Sequence, residues 1–227
     1  MIIKANRLSK SYKNELGSID RVVLKAVSLE LELGDTVAIM GPSGCGKTTL
    51  LNILGTLDTL DTGSLFFDDQ SIDQMKEKAL LAFRSKQLGF VFQFHNLLPQ
   101  CTLLENVLLP TLTQKKNALH FAHRAETLLK YMGLWDQRNN KPNELSGGEC
   151  QRAAVARALI NSPSIILADE PTGSLDTENG DRLMDLLLDI NSNFGVTLVV
   201  ATHSDSVAER MNRIYRIEAG SLICTKG

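Results

Sequence analysis

Apolar and polar positions alternate in two blocks of this chain, and a block of helical spacing separates them. In the first block, "VVLKAVSLELEL" (22–33) alternates from Val27 onward, the period of a half-buried strand. "DTVAIM" (35–40) is a short apolar strand that runs into a glycine-rich loop, and "TTLLNILG" reads as a helix stopped by Gly55. "GSLFFDD" and "LGFVFQ" predict two more short strands. From about 94 to 160 the pattern changes. "TLLENVLLPTL" and "ALHFAHRAETLLKYMGL" repeat with helical spacing, Gly133 is a stop, and Trp135 is assigned to the core of this unit. "QKKNAL" between them reads as a short solvated loop. In the last block, "SIILADE" and "VTLVVATH" are buried strands around the helix "DTENGDRLMDLLLDINSNFG". A short helix over about 205–211 and the hairpin "RIYRIEAGSLIC" complete it. Strand and helix alternate on both sides of a helical insert. That predicts an α/β fold, a parallel core carrying an inserted helical subdomain over about 94–160, within one domain spanning 1–227.

Composition narrows the partners. The chain has 227 residues, 43% of them hydrophobic, enough for a substantial core. Its formal net charge of −2 provides no broad basic field, which argues against nucleic acid. The four cysteines, Cys45, Cys101, Cys150 and Cys224, form no C-x-x-C pair, so neither a zinc site nor a disulfide framework is expected, and a reducing cytosol fits. The charged start "MIIKANRLSKSYK" does not read as a signal peptide, and no apolar run approaches the roughly 20 residues of a spanning helix. Service at a membrane would go through a partner.

The glycine loop carries chemistry. Gly41, Gly46, Lys47 and Thr48 fit G-x-x-x-x-G-K-[ST] between a strand and a helix. Such a loop, here Gly41-Pro42-Ser43-Gly44-Cys45-Gly46-Lys47-Thr48-Thr49, turns backbone N–H groups onto a nucleotide's phosphates. Lys47 supplies a charge to the β/γ oxygens and Thr48 a hydroxyl for Mg²⁺. "IILADE" supplies acids at a strand's carboxyl end, where open parallel sheets bind ligands. Asp169 is the expected Mg²⁺ ligand. Glu170 is the expected base or orienter of an attacking water.

A second glycine motif lies in "NELSGGECQRAAVARAL" (143–159). Ser146 and Glu149 form a capping box, which explains those two residues structurally. Gly147 and Gly148 are poor helix formers in a first turn, and they suit close approach of an anion. Two chains packed head to tail would let each "LSGGE" cover the ATP held by the other's P-loop. The motif then belongs to the partner's nucleotide.

P-loop, "LSGGE" and "IILADE", in this order and spacing, resemble the ATP-binding cassette (ABC) ATPases along nearly the whole chain. The resemblance implies a P-loop NTPase (RecA-like) core with an N-terminal antiparallel β subdomain. It implies that Tyr12 stacks on adenine and that Gln93 touches Mg²⁺ and the attacking water. It also implies that Asp176 lies at the dimer interface and that His203 contacts the γ-phosphate. Ser204 stands where many relatives have aspartate, and Cys150 where arginine or glutamine is common. "FQFHNLLPQCTLLENVLLP", with "LGTLD" and "PTGSLD", resembles the lipoprotein-releasing (LolD-type) branch of the family, with the macrolide-exporter (MacB) and cell-division (FtsE) ATPases as cousins. That implies an ATP-dependent homodimer at the cytoplasmic face of the bacterial inner membrane. It would serve integral membrane permease subunits of the LolC/LolE kind that handle a lipoprotein substrate. Phe94, Leu97, Leu98 and Pro99 form an apolar stretch that either receives such a partner or packs the helical subdomain, and the resemblance implies that the permease docks there, near residues 94–99. A soluble mechanical ABC ATPase would carry coiled-coil inserts or fused cassettes, which the sequence lacks. A P-loop kinase leaves "LSGGE" without a role. His120 and His123 lie one turn apart, with no third metal ligand near in sequence.

Overall fold

The computed structural model describes residues 2–13, 19–114 and 118–227. Residues 115–117 of the "QKKNAL" loop lie outside the described residues. The chain opens with β1 (Ile3–Lys13), β2 (Ile19–Leu31), β3 (Thr36–Met40) and α1 (Lys47–Leu54). Then come β4 (Thr62–Phe67), β5 (Gln70–Ser71), α2 (Glu77–Gln87) and β6 (Leu88–Phe92). The middle holds α3 (Leu103–Leu108), a short 3-10 turn, α4 (Ala118–Tyr131) and α5 (Gly147–Leu159). It closes with β7 (Ile165–Asp169), α6 (Thr177–Phe194), β8 (Thr197–Thr202), α7 (Asp205–Glu209), β9 (Arg213–Glu218) and β10 (Ser221–Lys226).

Two sheets form. The antiparallel one has the order β2-β1-β4-β5. The larger has the order β10-β9-β3-β8-β7-β6 and is parallel except for the β9–β10 hairpin. Its central strands are buried on both faces, which is why they read as apolar runs. Their period of two divides them between two cores. Val37, Ile39, Leu167 and Val199 pack with α1 and the antiparallel sheet. Ala38, Met40, Ala168 and Val200 pack with the helices, and this core runs unbroken into Leu103 and Val107 of α3 and Phe121 and Leu129 of α4. Trp135 is only half-buried at its rim, with the Arg138 guanidinium 4.4 Å from the ring centroid.

Gly55 ends α1, but for packing rather than for a left-handed turn. Its φ is −81°, and the left-handed residue is Thr56 at φ 59°. A Cβ at Gly55 would lie 2.5 Å from the Phe90 ring, so only glycine lets β6 approach the helix end.

The apolar stretch after Gln93 divides. Leu97 is buried at 6% exposure in the helical core, whereas Leu98 and Phe94 are 42% and 68% exposed. Leu97 is therefore core, because its side chain fills the space between β6 and the helices. Leu97→Ala should cost about 2–4 kcal/mol and lower the melting temperature visibly, whereas Leu98→Ser should melt near wild type. Calorimetry of the two variants checks this.

Candidate nucleotide site

Parallel register gathers the candidate residues. Met40 pairs with Thr202, Asp169 with Ala201, and Phe92 with Asp169. The loops after β3, β8, β7 and β6 therefore leave one sheet edge, carrying the P-loop, His203, Glu170 and Gln93.

The P-loop is built for an anion. The N-cap of α1 is Gly46, at φ 113°, with no side-chain cap bond and no acid in the first turn. The first N–H groups and the positive end of the helix thus lack an internal counterpart. A side chain at Gly46 would also strike Val23, 2.8 Å from the new Cβ. Pro42, Ser43, Gly44 and Thr48 are exposed, Cys45 and Thr49 are half-buried, and Gly41 is buried. Lys47 is only 6% exposed. Its ammonium donates to Gly41 O at 2.8 Å and Pro42 O at 3.3 Å, and lies 3.3 Å from Glu170 Oε1.

Glu170 is shared. Its other oxygen, Oε2, is 2.9 Å from His203 Nδ1 and accepts the His203 backbone N–H at 3.4 Å. The residue sits at φ 46°, a left-handed conformation that costs a non-glycine about 1–3 kcal/mol. Its N–H donates to Ala201 O, and its carbonyl accepts from Gly173 N–H, both at 2.9 Å. These bonds hold the carboxylate toward Lys47.

Asp169 takes the Thr48 hydroxyl on Oδ2 at 2.8 Å, while its Oδ1 is buried without a hydrogen-bond partner. Burial pushes its carboxyl above the usual range. The charge of Glu170 adds to this, against the Thr48 bond and Lys47. An orphaned carboxylate oxygen beside a hydroxyl is a hard-donor pair that fits Mg²⁺.

Gln93 is tied to the loop after Glu170. Ser174 Oγ donates to its carbonyl at 2.8 Å, and a Cβ at Gly173 would lie 2.9 Å from its Nε2. Gln151, which sequence reasoning missed, is 1% exposed and donates to Phe92 O at 2.7 Å and Pro171 O at 3.0 Å. It fixes the ends of β6 and β7 against each other. A lone amide on the apolar face of α5 was the available signal. Tyr12 lines a cleft of about 200 Å³ together with Arg21, Val23, Lys47, Thr48 and Thr49.

The second glycine motif faces elsewhere. Ser146 caps α5 by accepting the Glu149 N–H at 3.3 Å, and Glu149 Oε2 accepts the Ser146 N–H at 2.8 Å. A Cβ at Gly147 would find only Leu175 within 4 Å, at 3.8 Å, and one at Gly148 would meet Asn179 at 3.3 Å. Neither neighbour belongs to the P-loop. Asp176 caps α6 by accepting the Asn179 N–H at 2.9 Å, so it lies at this second edge. His120 and His123 are exposed, and among the described residues no three His, Cys, Asp or Glu side chains gather as a metal site.

The family model for ABC transporters matches residues 24–173. The chain is 51% identical over 201 residues to a Bacteroides fragilis protein named lipoprotein-releasing system ATP-binding protein LolD, covering 88% of this chain and 93% of that one. A protein of the same name from Bacteroides thetaiotaomicron is 48% identical over 221 residues, covering 97% and 99%. A solved dimeric ATP-binding cassette in a post-hydrolysis state, bound to ADP and Pi, superposes with a TM-score of 0.88 at 40% identity over all of both chains.

The orphaned charge of Asp169 sets a test. Its ionised form is disfavoured by burial, so Asp169→Asn should raise the melting temperature in nucleotide-free, chelator-treated protein by a few degrees. The same change should abolish ATP hydrolysis. Melting at or below wild type would mean that Asp169 carries no unmet charge.

Proposed function

The chain belongs to the ABC transporter family, and we propose that it is the ATP-hydrolysing subunit of a membrane complex that releases lipoproteins from the inner membrane for transfer to the outer membrane. The observation that carries the cargo is near-full-length identity of 48–51% to proteins bearing that name. Support for the chemistry comes from the Lys47–Glu170–His203 network beside Thr48 and Asp169.

The steps follow from the charges. ATP enters with its phosphates over the free N–H groups of α1, and its β/γ oxygens take Lys47 from Glu170. Thr48 and Asp169, with Gln93 beside them, would hold Mg²⁺, which supplies charge neutralisation on the phosphate oxygens. Glu170, released from the ammonium, accepts a hydrogen bond from the attacking water and orients it at the γ-phosphorus. His203 stays on Glu170 and meets the γ-phosphate. Ser146, Gly147 and Gly148 of a second copy, with its Asp176, close the site from outside. Two copies thus sandwich two nucleotides, and hydrolysis loosens them.

The subunit is peripheral on the cytoplasmic face of the inner membrane. Among the described residues, no helix is long and apolar enough to cross a membrane. Force passes to LolC/LolE-like permease subunits. A groove of about 890 Å³ is lined by Leu81, Ala82, Phe90, Phe92 and Pro110 together with Lys78 and Lys86, and exposed Phe94 stands in sequence between two of its lining residues, Phe92 and Asn96. It suits a short amphipathic helix carrying acidic residues.

Two measurements test this. Glu170→Gln should bind ATP, fail to hydrolyse it and shift to twice the monomer mass in size-exclusion chromatography. A monomer at saturating ATP and Mg²⁺ contradicts the sandwich. Phe94→Ser should leave melting and basal ATPase within error of wild type, yet lower lipoprotein release from liposomes holding the permease subunits. Normal release would move the docking surface elsewhere. If the wild-type complex hydrolyses ATP but releases no lipoprotein, the cargo assignment fails.

A further inference from the structure

The loop after α1, "LDTLD" (57–61), wraps β1 and serves no step above. Leu57 N–H and Asp58 N–H both donate to Asn52 O, at 2.8 and 3.2 Å, so the loop is folded back onto α1. Asp61 then accepts the N–H and hydroxyl of Ser11, at 2.7 and 2.6 Å. Asp58 reaches the residues on either side of Ser11. Its Oδ1 takes the Lys10 ammonium at 2.7 Å, and its Oδ2 takes the Tyr12 hydroxyl at 2.8 Å. Lys10 is 7% exposed, and its other acceptor is Thr59 O at 2.6 Å.

Lys10 and Tyr12, two residues apart on a strand, share a face. The Lys10 nitrogen lies 5.3 Å from the Tyr12 ring centroid. The tyrosine is nonetheless 43% exposed and lines the cleft that contains Lys47. Its hydroxyl is also 3.5 Å from Thr49 Oγ1, one turn into the helix that begins at Lys47. The ring is therefore held at its tip rather than left to rotate. Partial burial pushes the Asp58 carboxyl up, but bonds from Lys10, Tyr12 and Thr59 N–H together hold it below the usual range, so it is ionised at neutral pH.

We infer that Asp58, fixed by buried Lys10, is a positioning residue that holds the Tyr12 ring at a set distance from the P-loop and so determines how tightly the nucleotide base is bound. This rests on the reading of Tyr12 as the base-stacking residue. Stacking needs a ring already in place. A tethered ring costs less order on binding than a free one. Because Asp58 hangs from the far end of α1 and Lys47 from its start, one short helix spaces the base platform from the phosphate cradle.

The experiment compares ADP, which has a base, with inorganic pyrophosphate, which has none, using calorimetry for ADP and competition for pyrophosphate. Asp58→Asn should weaken ADP roughly threefold to tenfold, the size of one typical net hydrogen bond, and leave pyrophosphate unchanged. Tyr12→Phe keeps the ring and the Lys10–Asp58 pair but loses the tether, so it should show the same split without a change in melting temperature. The double variant should be no weaker than either single one, since both cut the same bond. Equal weakening of ADP and pyrophosphate by Asp58→Asn would reduce Asp58 to a structural residue and overturn the inference. So would full ADP affinity in Tyr12→Phe, which also covers the case of an Asp58→Asn chain that folds poorly. Tyr12→Ala separates the two readings. If it weakens ADP alone while Tyr12→Phe does not, stacking stands and the tether falls. If it spares ADP, the stacking reading itself fails.

Discussion

A buried ammonium must have a counter-charge, and at this sheet edge the counter-charge of Lys47 is Glu170. The pair is more than a structural ion pair, because each partner has an unfinished task. Glu170 is held in a left-handed backbone conformation that points it at Lys47, and His203 grips its second oxygen. Asp169, next to it, keeps one buried oxygen unbonded. Costs of this kind persist in a fold where function requires them. On the proposed reading, an anion with its cation would relieve both at once, since phosphate oxygens would satisfy Lys47 and a divalent ion would satisfy Asp169.

The rest of the molecule holds these groups in place. The parallel register of β3, β8, β7 and β6 brings four loops to one edge, and Gln151 pins the last two strands from behind. The division of each buried strand between two cores anchors the edge from both faces. Away from the P-loop residues, α5 is capped by its own Ser146, and a Cβ at Gly147 would meet only Leu175 within 4 Å. The P-loop helix lacks a cap where it expects a ligand. The "LSGGE" helix supplies its own cap, and on the proposed reading its glycines serve a second copy's nucleotide.

Elements with a strong period were legible from the sequence. The buried strands, α4 and α6 all carry one, and the Ser146–Glu149 box is spelled out in S-x-x-E. The helix α2 was not legible, because none of its residues is buried and it carries no clear apolar stripe. Leu97 and Leu98 could not be told apart in sequence, since only the path of the loop decides which one turns inward. The reason for Gly55 was hidden as well, because it lies in the Phe90 ring of a distant strand. The P-loop, Asp169 and Glu170 could be read from local motifs. The Lys47–Glu170 contact and the Lys10–Asp58–Tyr12 tether could not, because they join residues that only the fold brings together.

On the proposed reading, one chain holds half of a catalytic site and a second copy's capped helix supplies the other half. The most direct measurement is on Ser146→Arg, made alone and in a Glu170→Gln background. If the claim holds, ADP affinity of the single variant stays at the wild-type value, because its own P-loop is untouched. The Glu170→Gln/Ser146→Arg protein then remains a monomer at saturating ATP and Mg²⁺. Loss of ADP affinity in the single variant would place Ser146 at its own chain's nucleotide. An ATP-dependent dimer in the double variant would show that the glycine turn is not part of the shared site, and either result would contradict the account.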